Sequence, residues 1–324
     1  MCLLRFSSFL ALFFGFFVRT VGLAAELPKV SICIPIYNGE KYMARSIDSA
    51  LSQTLNDIEV VCVDDGSTDG SLAILKSYAA KDQRLVVLEN GKNMGTLYAE
   101  LRAVLHSRGK YVIIIDCDDY IFPDIAKAAY ERAELTGAKV VTFDVERSWA
   151  KTLLPDSGSG LLDGEKLQAS FFSRKISPAK WDKFFDGALL RDVGNELLPF
   201  AEANHIVHWE DAMINWYVCR RVPPFSVLHV LGYRHDDQIG TRAKIASDRI
   251  GTVTKIFRDN TLVAKKILDD CPGGDSATNA LSIMSEWISY PFQLLQTLPG
   301  KYWKPIVDDY IAAFPEEIDA RQRP

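Results

Sequence analysis

Two acidic clusters, each closing a short apolar run, constrain this chain most. Val60-Val61-Cys62-Val63 runs into Asp64-Asp65-Gly66-Ser67-Thr68-Asp69, and Tyr111-Val112-Ile113-Ile114-Ile115 runs into Asp116-Cys117-Asp118-Asp119. Short runs rich in Val and Ile read as buried strands of a parallel sheet, and open α/β sheets bind ligands just beyond the carboxyl ends of their strands. Carboxylates at that edge suit a hard divalent cation, which takes oxygen ligands and can hold a diphosphate. The alternative is a pair of surface turns, since Asp, Gly and Ser also cap helices. Two clusters at two strand ends favour a ligand site.

The periodicity around them is that of βαβ units. Val30 to Ile36 reads as a strand, followed by a helix with Met43, Ile47, Ala50 and Leu51 on one face. Ile58 to Val63 is a second strand. The next helix begins near Asp69 and is expected to bury Leu72, Leu75, Tyr78 and Ala79. Leu85 to Leu88 is a third strand. A third helix carries Leu97, Leu101, Val104 and Leu105, and strands follow at Tyr111 to Ile115 and Val140 to Phe143. Strands alternating with helices imply a mostly parallel α/β sheet with right-handed crossovers. Lys151 to Gly164, with Pro155 and three glycines, reads as a loop. From Glu165 to Tyr233 the pattern is mixed and aromatic-rich. Beyond Thr241 the chain reads as helical: one helix stopped by Cys271-Pro272-Gly273-Gly274, a second from Ala277 to about Leu295, and a third from Tyr302 to Phe314.

Composition narrows the class. The 324 residues are 48% hydrophobic, enough for a large globular core. A net charge of −5 argues against a nucleic-acid partner. Cys2, Cys33, Cys62, Cys117, Cys219 and Cys271 are scattered, and three of them lie in or beside strands, so reduced thiols are expected. His205 and His208 lack partners at zinc spacing. Phe6 to Val18 is uncharged between Arg5 and Arg19 but shorter than the ~20 residues of an unbroken span. Residues 1–27 therefore read as a signal anchor, a cleaved signal or an over-long start.

The opening half resembles the inverting family 2 glycosyltransferases of GT-A fold. The resemblance rests on Pro35-Ile36-Tyr37-Asn38, Asp64-Asp65-Gly66-Ser67 and Asp116-Cys117-Asp118-Asp119, in that order and spacing. Trp181-Asp182-Lys183-Phe184-Phe185 resembles the family's Trp-x-Lys-Leu-Phe segment, and Glu210-Asp211 its Glu-Asp motif. The likeness extends over about residues 29 to 240. It implies a GT-A domain at 28–240, with a nucleotide-sugar half (28–122) and an acceptor half (123–240), ahead of a C-terminal helical region (241–324).

The resemblance also implies roles. Pro35 and Tyr37 border the nucleotide base, and Tyr37 offers an aromatic face. Asp65 resembles the acid that accepts a hydrogen bond from the base imide, with Asp64 beside it. Asp116 and Asp118 resemble the Asp-x-Asp motif, with Asp118 the direct ligand of Mg²⁺ or Mn²⁺ and Asp116 on the ribose or a metal-bound water. His235 is placed with this metal group, and Arg234 with the diphosphate; a surface role is the alternative for both. Asn93 and Gly95 sit in a turn whose N–H groups either meet donor oxygens or simply shape the turn. Asp211 is the candidate general base and Glu210 its understudy. Asp119 is assigned to capping the helix that follows Pro123. Tyr98-Ala99-Glu100-Leu101-Arg102 departs from the family's usual Ala-Arg-Asn.

The expected partners are a nucleotide-sugar donor, with UDP carrying a hexose or N-acetylhexosamine, and a glycan or lipid-linked acceptor. The catalytic part is expected at a membrane, facing the donor pool: the cytoplasmic side in a bacterium, the Golgi lumen in a eukaryote. A dinucleotide-binding enzyme would need GxGxxG after the first strand, where this chain has Pro35-Ile36-Tyr37-Asn38-Gly39. The remaining alternative is a non-catalytic carbohydrate-binding or scaffolding relative that keeps the fold.

Overall fold

The computed structural model describes residues 27–146, 156–158, 160–172, 175–235, 248–271 and 308. The N-terminal apolar segment and the expected helices at 277–295 and 302–314 lie outside the described residues, Asp308 excepted.

The chain alternates as the periodicity predicts through its first half. The elements are β1 (Val30–Ile36), α1 (Met43–Leu51), β2 (Ile58–Asp64), α2 (Ser71–Lys81), β3 (Leu85–Glu89), α3 (Thr96–His106) and β4 (Tyr111–Ile114). There follow β5 (Tyr120–Ile121), α4 (Ile125–Thr136), β6 (Val140–Glu146), α5 (Gly164–Phe172), β7 (Lys183–Asp186), α6 (Gly187–Asn204), α7 (Glu210–Cys219), β8 (Phe225–Arg234) and α8 (Arg249–Asp269). The strands form one sheet in the order β3-β2-β1-β4-β7-β6-β8-β5. Every residue of β1 and β2 is buried, as expected of central strands covered on both faces.

The first four strands are parallel, with Ile36 opposite Asp64 and Cys33 opposite Ile114. This register brings the ends of β1, β2 and β4 to one edge, where the acidic clusters begin. The aromatic-rich region departs from the parallel pattern. β7 runs antiparallel between β4 and β6, and β5 pairs antiparallel with β8. Alternation explains why the Phe184-Phe185 pair can do this. Phe185 buries itself in the core that holds Leu97, Val104 and Leu190, and Phe184 in the opposite one with Ile32, Ile113 and Tyr111.

Two burial details differ from the periodic reading. Leu75 of α2 is fully buried, but Leu72, Tyr78 and Ala79 are only half-buried, because α2 covers the outer strands of the sheet. Beyond residue 240, Val263, Ala264 and Ile267 of α8 belong to the same core as Leu97 and Ala212, so the described part of the C-terminal region is built into the domain. Among the described residues, Cys33, Cys62, Cys117, Cys219 and Cys271 are free thiols, and no helix is long and apolar enough to cross a membrane.

Gly95 precedes α3 at φ 95° and ψ 156°, a region essentially confined to glycine. A Cβ there would stand 2.7 Å from the Ile206 carbonyl oxygen, whereas one on Gly91, at φ 71°, would meet nothing within 4 Å. Gly95→Ala is therefore expected to cost more than ~2 kcal/mol and Gly91→Ala ~1 kcal/mol in urea unfolding; equal losses would contradict the packing argument.

Candidate active site

The ends of β1 and β2 form a donor-side edge of interlocked loops. Asn38, at φ 52°, donates its N–H to Ser67 Oγ (3.0 Å) and accepts from Thr68 N (2.8 Å). Ser71 Oγ accepts from Gly39 N (2.8 Å), and Glu40 Oε2 from Gly70 N (2.8 Å). Pro35 is buried, while Tyr37 is 43% exposed at the rim.

The two adjacent acids where β2 ends divide the work. Asp65 accepts from Asn90 Nδ2 (2.6 Å), Met94 N (2.9 Å) and Gly95 N (3.0 Å), so its carboxylate anchors the 90–95 turn. Among the described residues, the Asp64 carboxylate accepts from Ser67 N (3.2 Å) through Oδ2, and its Oδ1 is buried without a hydrogen-bond partner. The orphaned acceptor at this edge is thus on Asp64, where the family resemblance points to Asp65. The N–H of Gly95 is spent on Asp65, and Asn93 Oδ1 meets Gly95 N (3.1 Å) and His205 Nε2 (2.6 Å). Both residues hold the turn in this way.

The end of β4 is a tight turn closed by Asp119 N to the Asp116 carbonyl (3.2 Å). Arg45 Nη2 donates to the Asp118 carbonyl (2.9 Å) and Ser46 Oγ to that of Asp116 (3.2 Å), holding the turn against α1. Asp119 does not cap α4: it is fully buried and accepts from Tyr233 Oη (2.5 Å) and meets His235 Nδ1 (2.7 Å). Trp181 stacks on both rings, with centroids 5.0 and 5.9 Å away. A carboxylate on one imidazole nitrogen fixes the ring as metal-binding histidines usually require. Arg234 is ion-paired with Glu146 (2.7 Å), and both side chains are about half exposed. Burial, and then the Asp116 and Asp119 carboxylates, push the Asp118 carboxyl up to about 7.

The acceptor-side acids meet the donor side through a residue that pattern reading missed. Lys180 is fully buried, and its Nζ lies 2.7 Å from Asp211 Oδ1, 2.9 Å from Glu100 Oε1, 3.2 Å from Asp116 Oδ1 and 3.6 Å from Glu210 Oε1. Burial alone would lower this ammonium, but Asp116, Asp211, Glu100 and Glu210 together raise it well above its ordinary value. Glu100 is also fully buried, and neither of its oxygens makes a hydrogen bond. Burial raises its carboxyl strongly against the pull of Lys180. Glu210 is pushed up to about 8 by burial, opposed by Lys180 and helped by Asp211 and Asp116; burial raises Asp211 as well. Glu210 and Asp211 open α7, where the helix dipole favours negative charge.

The local fold aims Lys180. Lys183 Nζ donates to the carbonyls of Ser177 (2.8 Å) and Ala179 (2.6 Å) and to Asp182 Oδ1 (2.6 Å), folding the 177–182 loop around itself. Asn215 Nδ2 ties the Pro178 carbonyl (2.8 Å) to α7. Glu100 had a signal in the sequence: it lies three residues after Leu97 and four before Val104, on the apolar face of α3. Lys180 had none, because its burial follows from a loop.

Residues 31–181 match the family described as glycosyl transferase family 2. Over that stretch, a little under half of the chain, it is similar to this family. It is 42% identical to a chondroitin synthase of Escherichia coli over 119 residues, 36% of this chain and 17% of that protein. To the putative glycosyltransferase EpsH of Bacillus subtilis it is 27% identical over 195 residues, 59% of this chain and 56% of the relative. A poly(ribitol-phosphate) beta-glucosyltransferase of Bacillus spizizenii is 43% identical over 96 residues, 29% of this chain and 15% of that protein. The chain thus spans less than two thirds of the length of these curated relatives. The crystal structure of S. aureus TarS 1-349 in complex with UDP-GlcNAc superposes with a TM-score of 0.64 at 21% identity, over 90% of this chain and 83% of that one. That likeness establishes the GT-A fold.

Two predictions follow from the charges. The folded Asp118 holds its proton to about pH 7, above the ordinary value near 4, so the unfolded chain binds fewer protons between those values and stability falls as pH rises through that window. Asp118→Asn removes this loss; without added metal, the variant's Tm should gain on wild type by roughly 2–4 °C between pH 5 and pH 8, and a constant difference would reject the assignment. Lys180→Met leaves buried acids unpaired and should lose about 3–5 kcal/mol in urea unfolding, with Lys180→Arg recovering part of it. A melt unchanged in Lys180→Met would show that the ammonium is dispensable.

Proposed function

We propose that this chain is a metal-dependent inverting glycosyltransferase that moves a hexose or N-acetylhexosamine from a UDP donor to a glycan or lipid-linked acceptor. The observation that carries the reading is the convergence of the strand-end acid Asp116 with Glu210 and Asp211 of α7, bridged by Lys180, with Asp118 two residues beyond Asp116. On the donor side, Tyr37 offers an exposed ring to a base and Asp64 an unmatched acceptor to a uracil N–H.

Among the described residues, no group of three or more His, Cys, Asp and Glu is gathered to hold a metal ion. Mg²⁺ is commonly held by one or two carboxylates plus substrate phosphates, a set that Asp118 and Asp116 would supply together with a donor. Burial, and then the Asp116 and Asp119 carboxylates, raise Asp118, and a bound cation would offset that charge repulsion. Asp118 would hold the ion, with Asp116 and the ring of His235 beside it. When bound, it would neutralise charge on the leaving diphosphate.

The protein's own groups supply the rest. Asp211 takes the proton of the acceptor hydroxyl as its oxygen attacks the anomeric carbon from the face opposite the diphosphate. The new C–O bond forms as the bond to the diphosphate breaks, and UDP leaves. Lys180 holds Asp211 in register with Asp116. The names of relatives support the substrate class: a chondroitin synthase, a poly(ribitol-phosphate) beta-glucosyltransferase, and TarS with UDP-GlcNAc.

A thermal-shift screen of UDP and GDP sugars with and without Mn²⁺, followed by donor hydrolysis and transfer assays, tests the proposal. UDP sugars should stabilise the protein more than GDP sugars, and Asp118→Ala should lose the Mn²⁺-dependent part. Asp211→Asn should keep donor stabilisation and lose about 10²-fold or more in turnover. Donor binding without any hydrolysis or transfer would favour the non-catalytic relative.

A further inference from the structure

Asp259 lies in α8, well outside the matched residues 31–181, and its side chain is fully buried. Its Oδ2 accepts the backbone N–H groups of Val207 (3.0 Å) and His208 (3.1 Å). Its Oδ1 faces Lys255 Nζ (3.3 Å) and Arg258 Nη1 (3.2 Å). Both cations reach the same segment: Lys255 Nζ donates to the His205 carbonyl (3.1 Å), and Arg258 Nη2 to that of Asn204 (3.2 Å). One turn of α8 thus holds 204–208 at four backbone groups.

That segment joins α6 to α7 and has an unusual backbone. His205 and Trp209 have φ values of 45° and 71°, left-handed conformations that non-glycine residues keep only when their surroundings impose them. On its far side it meets the donor-side turn. Ile206 O accepts from Leu97 N (3.1 Å), and His205 Nε2 meets Asn93 Oδ1 (2.6 Å). The next two residues are Glu210 and Asp211, at the start of α7. A change at Trp209 would swing Asp211 away from Lys180, now 2.7 Å distant.

We propose that Asp259 is a positioning residue for the Glu210-Asp211 pair. It clamps the 204–209 segment in its left-handed path and so makes α8 part of the catalytic unit; this rests on the reading of Asp211 as the base. The donor-side turn has its own anchor in Asp65, so donor binding does not depend on the clamp. Both backbone N–H groups use one oxygen, Oδ2, which the side-chain carbonyl of an asparagine can replace, while its amide nitrogen would then face Lys255 and Arg258 in place of Oδ1.

The test uses the full chain, with Asp259→Ala and Asp259→Asn, and UDP-GlcNAc hydrolysis with Mn²⁺ as the probe. Amide hydrogen exchange at Val207 and His208 is read alongside kcat and KM. In Asp259→Ala, exchange at both amides should rise about tenfold or more and kcat should fall about 10- to 100-fold, as expected when a reacting group is misplaced by about an ångström. KM for UDP-GlcNAc should stay within about threefold. Asp259→Asn should recover part of the slow exchange and part of kcat, because it keeps the acceptor for both amides and loses the pairing with Lys255 and Arg258. Wild-type kcat in Asp259→Ala, or an Asp259→Asn as impaired as the alanine variant, would overturn the proposal. So would unchanged exchange at Val207 and His208 in Asp259→Ala, a measurement that stands even if UDP-GlcNAc is not turned over. Asp211→Asn run in parallel separates the two ideas: wild-type turnover there removes Asp211 from the chemistry, whereas the exchange data report on Asp259.

Discussion

One buried ammonium holds the centre of this molecule. Lys180 gathers acids from α3, the end of β4 and the start of α7, elements with no other reason to present carboxylates to a common point. Burying several acids together is costly unless a cation compensates them, and removing that cation would leave the penalty uncovered. The compensation is incomplete: one ammonium faces four carboxyl groups, and the carboxyls of Glu100, Glu210, Asp211 and nearby Asp118 are all raised. A site under that electrostatic load is poised to take up further positive charge. The rest of the acceptor side serves this arrangement, with Lys183 folding the loop that carries Lys180 and Asn215 tying that loop to α7.

The donor edge follows a different rule. Its loops satisfy one another, Asn38 with Ser67 and Thr68, Glu40 with Gly70, Asp65 with the 90–95 turn. Against that background a single buried acceptor without a partner, Asp64 Oδ1, stands out. A rigid rim with one unsatisfied group is what a pre-organised recognition site needs, because little must be reordered when a ligand arrives.

How much of this was legible in the sequence depended on how local its causes are. The parallel half was readable because strand, turn and helix each impose a short period: β1 begins and ends at Val30 and Ile36 as the apolar run does. The acids at the ends of β2 and β4 were readable for the same reason. The division of labour between Asp64 and Asp65 was not, since it turns on a hydrogen bond to Asn90, twenty-five positions away. Asp119 read as a helix cap because its partners, Tyr233 and His235, lie more than a hundred residues further on. Arg234 alternates with a residue facing the site but turns to Glu146. β7 was hidden because a four-residue strand buried on both faces has no alternation to detect. Glu100 alone left a trace, as a charge on an apolar helix face.

The sheet order also sets a timetable for the growing chain. β1, β2, β3 and β4 can assemble among themselves as soon as each is made. β6 cannot, because its neighbours among the described strands are β7 and β8, both encoded after it. As the polypeptide leaves the ribosome, residues 140–146 therefore wait as an unpaired, largely apolar strand until residue 186 at the earliest, while β4 keeps an open edge beside them. Such an interval is when edge-to-edge association with another nascent chain is easiest. The antiparallel insertion that completes the sheet is also the step on which its safe synthesis depends.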